Sequence, residues 1–225
     1  MTNLIKKIQN SASLNSLWKN DSKVILGISG GPDSVCLLDI FAKISQKYDL
    51  KLHIVHVNYG LRGNDSEKDE KLVQSLAQKY RIGSSVLKVG KLKKSEINEE
   101  NLRNIRYLFF EKIREELKFD LISVAHNQDD QVETFLMRVI RGAGLHGLAG
   151  MKYKNEKIIR PFLGISRKEI LEYLKNNKLK YRIDKTNEKD VFLRNKIRNE
   201  LIPFLQKNFN PNIKKTFAYR LADHR

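Results

Sequence analysis

Ser29-Gly30-Gly31-Pro32-Asp33-Ser34 follows the apolar run Val24-Ile25-Leu26-Gly27-Ile28 and precedes a helical pattern. Paired glycines let the backbone turn sharply and bring its N–H groups up to an anion. Ser29 and Ser34 add hydroxyl donors, and the next helix adds the partial positive charge of its N-terminus. Together these residues have the chemistry of a phosphate grip at a strand-to-helix turn. The chain has neither the lysine of a GxxxxGK[ST] loop nor a GxGxxG, so Walker-type and dinucleotide loops are not indicated. Asp33 is the odd member, since a carboxylate repels bound phosphate unless a divalent cation lies between them. Asp33 is therefore a candidate Mg²⁺ ligand. The plainer alternative is an ordinary turn in which Asp33 or Ser34 caps the next helix.

A second cluster lies in Ala125-His126-Asn127-Gln128-Asp129-Asp130-Gln131-Val132-Glu133-Thr134. His126, Asp130 and Glu133 fall at i, i+4 and i+7, and they share one helical face if the helix starts early enough to include His126. Val132, Phe135, Leu136 and Val139 form an apolar stripe on another face. Two carboxylates and an imidazole beside a phosphate grip suit a metal ion, or an amine that must lose a proton. Asp129 and Asp130 also suit the dipole of a first helical turn, and His126 also suits capping or packing. His53 and His56, three apart on an expected strand, face opposite sides and cannot chelate one ion. His56, at the strand end, can reach the site, whereas His53 packs. In the loop after Tyr59-Gly60-Leu61, Arg62 either meets a phosphate or is a solvated surface charge.

These residues need a scaffold, and short apolar strands alternating with longer helical patterns supply one. Strands are expected at Val24–Ser29, Leu52–Val57, Ser85–Val89 and Leu121–Ala125, with a weaker one at Lys157–Phe162. Helices are expected at Ser34–Gln46, Ser66–Tyr80, Glu99–Leu117, Asp129–Ile140, Ser166–Asn176 and Asp190–Lys207. In the Glu99–Leu117 helix, Leu102, Ile105, Leu108, Phe109, Ile113 and Leu117 read as the core stripe. The pattern implies an α/β fold with a doubly wound, mostly parallel sheet, and it brings the segments after Ile28, Val57 and Ala125 to one edge.

Composition narrows the functional classes. The chain of 225 residues is 40% hydrophobic, enough for one large domain with a small appendage. Its single cysteine, Cys36, excludes a disulfide framework or a multi-cysteine metal site within this chain. The cysteine lies among apolar neighbours, which fits burial and a reducing compartment. The N-terminus carries no signal-peptide pattern, and no run of apolar residues is long enough to span a membrane. A net charge of +17 is unevenly spread, with 23 basic against 18 acidic residues up to Gly150 and 20 against 8 from Met151 onward. Such a field attracts polyanions, nucleic acid first among them.

With these motifs in order, and with Arg141-Gly142-Ala143-Gly144-Leu145-His146-Gly147-Leu148, Arg160-Pro161-Phe162, Asp184-Lys185-Thr186-Asn187 and Arg194-Asn195-Lys196-Ile197-Arg198 after them, the chain resembles the tRNA(Ile)-lysidine synthetases. These are N-type ATP pyrophosphatases, or PP-loop proteins, whose loop reads SGGxDS. The resemblance implies an adenine nucleotide alpha hydrolase-like, Rossmann-like core with a C-terminal helical extension. Residues 1–150 would form the ATP-binding catalytic core, 151–212 its basic, largely helical remainder, and 213–225 the start of a linker helix.

The implied reaction adenylates the wobble cytidine of a tRNA(Ile) with a CAU anticodon, then joins free L-lysine to it, releasing AMP and diphosphate. ATP and Mg²⁺ are the implied cofactors. Ser29, Gly30, Gly31, Pro32, Asp33 and Ser34 would hold the pyrophosphate, Asp33 with the metal, while His56 and Arg62 would lie against the nucleotide. His126, Asp130 and Glu133 resemble the family's helix-borne site, where Asp130 and Glu133 would bind lysine's cationic groups and Asp130 would deprotonate the nucleophile. Arg194 or Arg198 would neutralise phosphate charge or hold the tRNA. No membrane partner and a cytoplasmic location are expected, and the resemblance leaves room for a homodimer.

Two departures stand out. Tyr59 occupies a position where the family commonly has histidine, and the chain stops at Arg225 where relatives continue into tRNA-binding domains, so weak tRNA binding is expected. The alternatives are a PP-loop tRNA thiolation enzyme, a reaction that usually needs several cysteines, or a nucleotide- or RNA-binding module without turnover.

Overall fold

Val24, Ile25 and Leu26 are consecutive apolar residues because their strand is covered on both sides. They form the middle of β1 (Lys23–Gly27) in the computed structural model, which describes residues 3–183 and 193–217. Val24 and Leu26 enter one hydrophobic cluster and Ile25 the other. The remaining strands are β2 (Lys51–Asn58), β3 (Gly83–Lys88), β4 (Leu121–Ser123), β5 (Lys154–Asn155) and β6 (Ile158–Ile159). Their order is β3-β2-β1-β4-β6-β5, and every pairing is parallel except β5 with β6.

The larger cluster packs α1 (Asn3–Leu14), α2 (Pro32–Tyr48), α3 (Asn64–Tyr80) and α6 (Arg167–Asn176) on one face of the sheet. Phe110 and Ile113 of α4 (Glu99–Glu116) cover the other face. The sheet is doubly wound, as the alternation of patterns implies. The chain leaves β1 toward β2 on one side and returns to β4 on the other, so a crevice opens at the C-terminal ends of β1 and β4. Among the described residues, no helix is long and apolar enough to cross a membrane.

Beyond Gly150 the sheet continues, since β6 pairs with β4 and carries β5 with it. Three features differ from the sequence reading. The strand expected over Lys157–Phe162 is only Ile158–Ile159, since Pro161 has no N–H for a ladder and the chain turns there. Helix α1 was not expected, although Leu4, Ile8 and Ala12 recur at helical spacing and are buried. On α4, Leu108 is 72% exposed and Phe110 is buried, so the core stripe is rotated from the one expected.

Helix α5 (Gln128–Ile140) packs Val132, Leu136 and Met137 against the C-terminal segment through Ile197 and Ile202. That segment is α7 (Leu193–Lys196), a π-helical turn at Ile197–Leu201, and α8 (Ile202–Asn208). Pro203 lacks the N–H of a regular helical ladder, and the widened turn lies directly before it. Helical backbone is also present over 213–217. The Asp184-Lys185-Thr186-Asn187 motif, the start of the helix expected at Asp190 and residues 218–225 lie outside the described residues.

Candidate functional site

The Ser29–Ser34 loop is built as its residues require. Gly30 has φ +88°, a conformation that favours glycine, and its carbonyl accepts the Arg182 N–H at 3.0 Å. Gly31 takes the N-cap position of α2, and Pro32 follows in its first turn, where a missing N–H costs nothing. The two serine hydroxyls lie 3.1 Å apart. Ser34 Oγ donates to the Gly31 carbonyl at 2.9 Å, and Ser29 Oγ accepts the Gly31 N–H at 3.3 Å. Ser29, Gly31, Asp33 and Ser34 line a cavity of about 340 Å³, while Gly30 and Pro32 shape the loop from behind.

Asp33 does not cap α2. Its Oδ2 accepts from Arg167 Nη1 at 2.6 Å, and its Oδ1 is buried with no hydrogen-bond partner. Burial pushes this carboxyl above the usual range although the Arg167 charge pulls it down. An orphaned carboxylate oxygen beside a phosphate grip fits a Mg²⁺ ligand. Among the described residues no group of three or more His, Cys, Asp or Glu side chains is placed to hold a metal. Mg²⁺ usually takes one or two carboxylates and fills its shell with water and phosphate oxygens, so Asp33 suffices as a protein ligand.

The second cluster is assembled differently from the helical face expected. Asn127 is extended (φ −113°, ψ −176°) and caps α5, so His126 lies in the preceding turn, outside the helix. Asn127 Oδ1 accepts the Asp130 N–H at 3.1 Å, and Asp130 Oδ2 accepts the Asn127 N–H at 2.9 Å in a reciprocal capping box. His126 and Asp130 nevertheless line the same cavity as the loop. Asp130 has a second task, since its Oδ1 accepts from Arg194 Nη2 at 3.0 Å. Burial outweighs that favourable charge, with Glu133 pushing the same way as burial, and lifts the Asp130 carboxyl to about 6.

Glu133 is fully engaged. Arg198 Nε donates to Oε1 at 2.6 Å, while Arg198 Nη2 and Arg194 Nε both donate to Oε2 at 2.8 Å. Arg194 also reaches Glu99 Oε1 at 3.2 Å, tying α4 to α5 and α7. The two arginines therefore hold the carboxylates expected to meet lysine, and both also line the cavity. Lysine's ammonium groups would have to displace or share these pairs.

His56 lines the cavity, and its ring Nδ1 meets the Ile28 carbonyl at 2.8 Å. A carbonyl can only accept, so Nδ1 carries the proton. Burial depresses the ring's basicity, which leaves Nε2 a buried, unpartnered acceptor. His53 packs elsewhere, 2.9 Å from Ser85 Oγ and edge-on to Phe119, as the strand alternation implies. Arg62 does not line the cavity. Its guanidinium is paired to Asp69, which also holds Arg182. Tyr59 does line it, with its hydroxyl donating to the Leu102 carbonyl at 2.6 Å.

Sequence reasoning missed Arg106, Tyr107 and Phe110, all on the cavity-facing side of α4, and Arg167. The α4 residues carried a usable signal, since Arg103, Arg106, Tyr107 and Phe110 recur at three- and four-residue spacing.

A doubly wound, mostly parallel sheet with a glycine–serine loop at its switch point is consistent with an adenine nucleotide alpha hydrolase-like fold. The chain belongs to the PP-loop domain family, whose match covers residues 1–205. It is 47% identical over 204 residues to a tRNA(Ile)-lysidine synthase of Clostridium tetani, covering 88% of this chain and 44% of that protein. A tRNA(Ile)-lysidine synthase of Clostridium perfringens is 44% identical over 224 residues, covering 96% of this chain and 47% of the relative. For one from Chlorobaculum tepidum the figures are 35% identity, 97% and 67%. The chain thus spans about half the length of most curated relatives it matches. Among solved structures, the U34-tRNA thiolase NcsA of Methanococcus maripaludis, determined with its [4Fe-4S] cluster, superposes with a TM-score of 0.76 at 20% identity. That match covers 97% of this chain and 77% of NcsA, and it establishes a shared fold.

Proposed function

We propose that this chain is the catalytic part of an ATP-dependent ligase that adenylates the wobble cytidine of a tRNA(Ile) with a CAU anticodon and joins lysine to it. The observation that carries the reading is the single cavity in which the Ser29–Ser34 loop meets His126 and Asp130. The names of the similar curated proteins support it. The thiolase alternative is disfavoured by Cys36, which is fully buried and whose thiol is pushed well above its usual range by that burial.

In this reading the loop N–H groups and the Ser29 and Ser34 hydroxyls hold the pyrophosphate end of ATP, so attack falls on the α-phosphorus. Asp33 Oδ1 would hold Mg²⁺, which would supply charge that makes pyrophosphate a better leaving group. His56 Nε2 accepts a hydrogen bond from the nucleotide. Asp130 takes the proton from lysine's ε-ammonium, since a protonated amine cannot attack, and Arg194 keeps that carboxylate ionised. Glu133 acts through Arg194 and Arg198, fixing both where they face the phosphate of the adenylate. The excess of basic residues after Gly150 serves tRNA approach. A cytoplasmic location goes with this assignment.

The test is AMP release from a mixture of protein, ATP, Mg²⁺, L-lysine and tRNA(Ile) with a CAU anticodon. The proposal expects AMP only when both lysine and this tRNA are present. AMP formed without regard to either would refute it.

A further inference from the structure

One peptide of the Ser29–Ser34 loop is fixed from outside the loop. Gly30 turns the chain with φ +88°, and a Cβ built there would lie 3.6 Å from the Asp69 carbonyl oxygen and 3.8 Å from Asp69 Cβ, so the turn rests directly on α3. The Gly30 carbonyl accepts the Arg182 N–H at 3.0 Å. Carbonyl and N–H of one trans peptide point in opposite directions, so holding that carbonyl toward Arg182 turns the Gly31 N–H the other way. There it meets Ser29 Oγ at 3.3 Å, and Ser29 and Gly31 both line the cavity. Arg182 belongs to no helix or strand, and its side chain anchors it instead. Its Nε donates to Asp69 Oδ1, and its Nη2 donates to Asp65 Oδ1 at 2.9 Å. Asp69 Oδ2 accepts from Arg62 Nη2, so this one side chain, 7% exposed, ties two separate loops to α3 beside the Gly30 turn.

We infer that Asp69 is a positioning residue for the phosphate grip: through Arg182 it fixes the Gly30–Gly31 peptide so that the Gly31 N–H is presented to the anion. The inference rests on the phosphate reading of the loop and deepens it by naming what sets one of its donors. Neither Asp69 nor Arg182 lines the cavity, so the effect passes through the backbone. A carboxylate suits the task. Lying between two guanidiniums, Asp69 anchors Arg182 without leaving an uncompensated negative charge behind the bound phosphate. An amide in its place keeps the shape but turns an NH₂ donor toward one of two guanidiniums that can only donate, and one charge-assisted bond is lost.

The test pairs calorimetric titration of the whole chain by inorganic pyrophosphate, with Mg²⁺ present, with hydrogen exchange of its backbone amides. Asp69→Asn and Arg182→Gln should each weaken pyrophosphate about 10-fold, the weak end of what one hydrogen bond to a charged group supplies. Asp65→Asn removes the more exposed anchor and should weaken it only about two- to threefold. In the first two variants the amide at position 182 should exchange faster, while Val24 to Leu26 in β1 keep their wild-type protection. Unchanged pyrophosphate affinity, or unchanged exchange at position 182, would overturn the inference and leave the phosphate reading standing. So would a loss of protection shared equally by β1, which marks a merely structural role. If Asp69→Asn does not fold, Arg182→Gln decides alone, because that side chain is 32% exposed. A wild type that binds no pyrophosphate would overturn the phosphate reading and this inference with it.

Discussion

Glu133→Ala removes the group that gathers the arginines at this site, and its cost can be worked from the geometry. The Glu133 side chain is 2% exposed and accepts three guanidinium N–H bonds, at 2.6, 2.8 and 2.8 Å. Removing one partner of a buried ion pair typically costs about 3–5 kcal/mol, because the other charge is left uncompensated. Here Arg194 is 20% and Arg198 34% exposed, so water recovers part of that, and Asp130 and Glu99 still hold Arg194. We expect a net loss of about 2–4 kcal/mol, or a fall in Tm of about 4–16 °C for a chain of this length. Urea denaturation followed by the fluorescence of Trp18, packed 5.2 Å from the Phe41 ring, measures it. Glu133→Gln keeps an acceptor oxygen and should lose about half as much. A double-mutant cycle of Glu133→Gln with Arg198→Met should show a coupling of about 1 kcal/mol or more. A loss under about 1 kcal/mol for Glu133→Ala, or strict additivity in the cycle, would refute the claim that Glu133 positions both arginines.

Other consequences follow from the same contacts. Asp33→Asn should cut AMP formation by about 100-fold or more if its carboxylate carries the metal; a normal rate at saturating Mg²⁺ would show that it does not. Asp130→Ala should impair lysine transfer more than adenylation, read as adenylate accumulating in single-turnover experiments. It should also cost about 1 kcal/mol through the lost capping box, measured in urea. In the wild type, the lysine-dependent step should fall away below an apparent pKa of about 6 as Asp130 becomes protonated. Because that carboxyl is raised on folding, its contribution to stability is present below about pH 4 and lost as pH rises toward 6. A flat rate profile between pH 5 and 7 would count against Asp130 as the base. Gly27→Ala would put a Cβ 2.7 Å from the Phe110 ring, costing about 1–3 kcal/mol, and Phe110→Val should recover much of that in denaturation experiments.

Much of the fold was legible because the physics that forms it is local. Val24–Leu26 is apolar on both strand faces, and Ser166 stands just before the α6 pattern as its N-cap. What escaped depends on distant neighbours. Strands β5 and β6 have two residues each and exist only because β4 offers an edge to β6. Helix α4 has apolar residues around most of its circumference, so periodicity alone could not show that Phe110 points inward and Leu108 outward. At the site, the SGGPDS loop was readable because glycine and serine act through their own backbone. The i, i+4, i+7 spacing misled, because Asn127 caps α5 and leaves His126 outside it; an Asn three residues before Asp130 is itself a capping signal. Arg194 and Arg198 were named as candidates from the sequence, but only the packing of α7 on α5 reveals that they meet Glu133.

The central claim concerns what this cavity makes, and product analysis addresses it most directly. The tRNA(Ile) with a CAU anticodon, incubated with the protein, ATP, Mg²⁺ and L-lysine, is digested to nucleosides and weighed by mass spectrometry. The account predicts that the wobble cytidine is converted to its lysine adduct by the wild type and not by Asp33→Asn. An unmodified wobble cytidine alongside steady AMP release would contradict it.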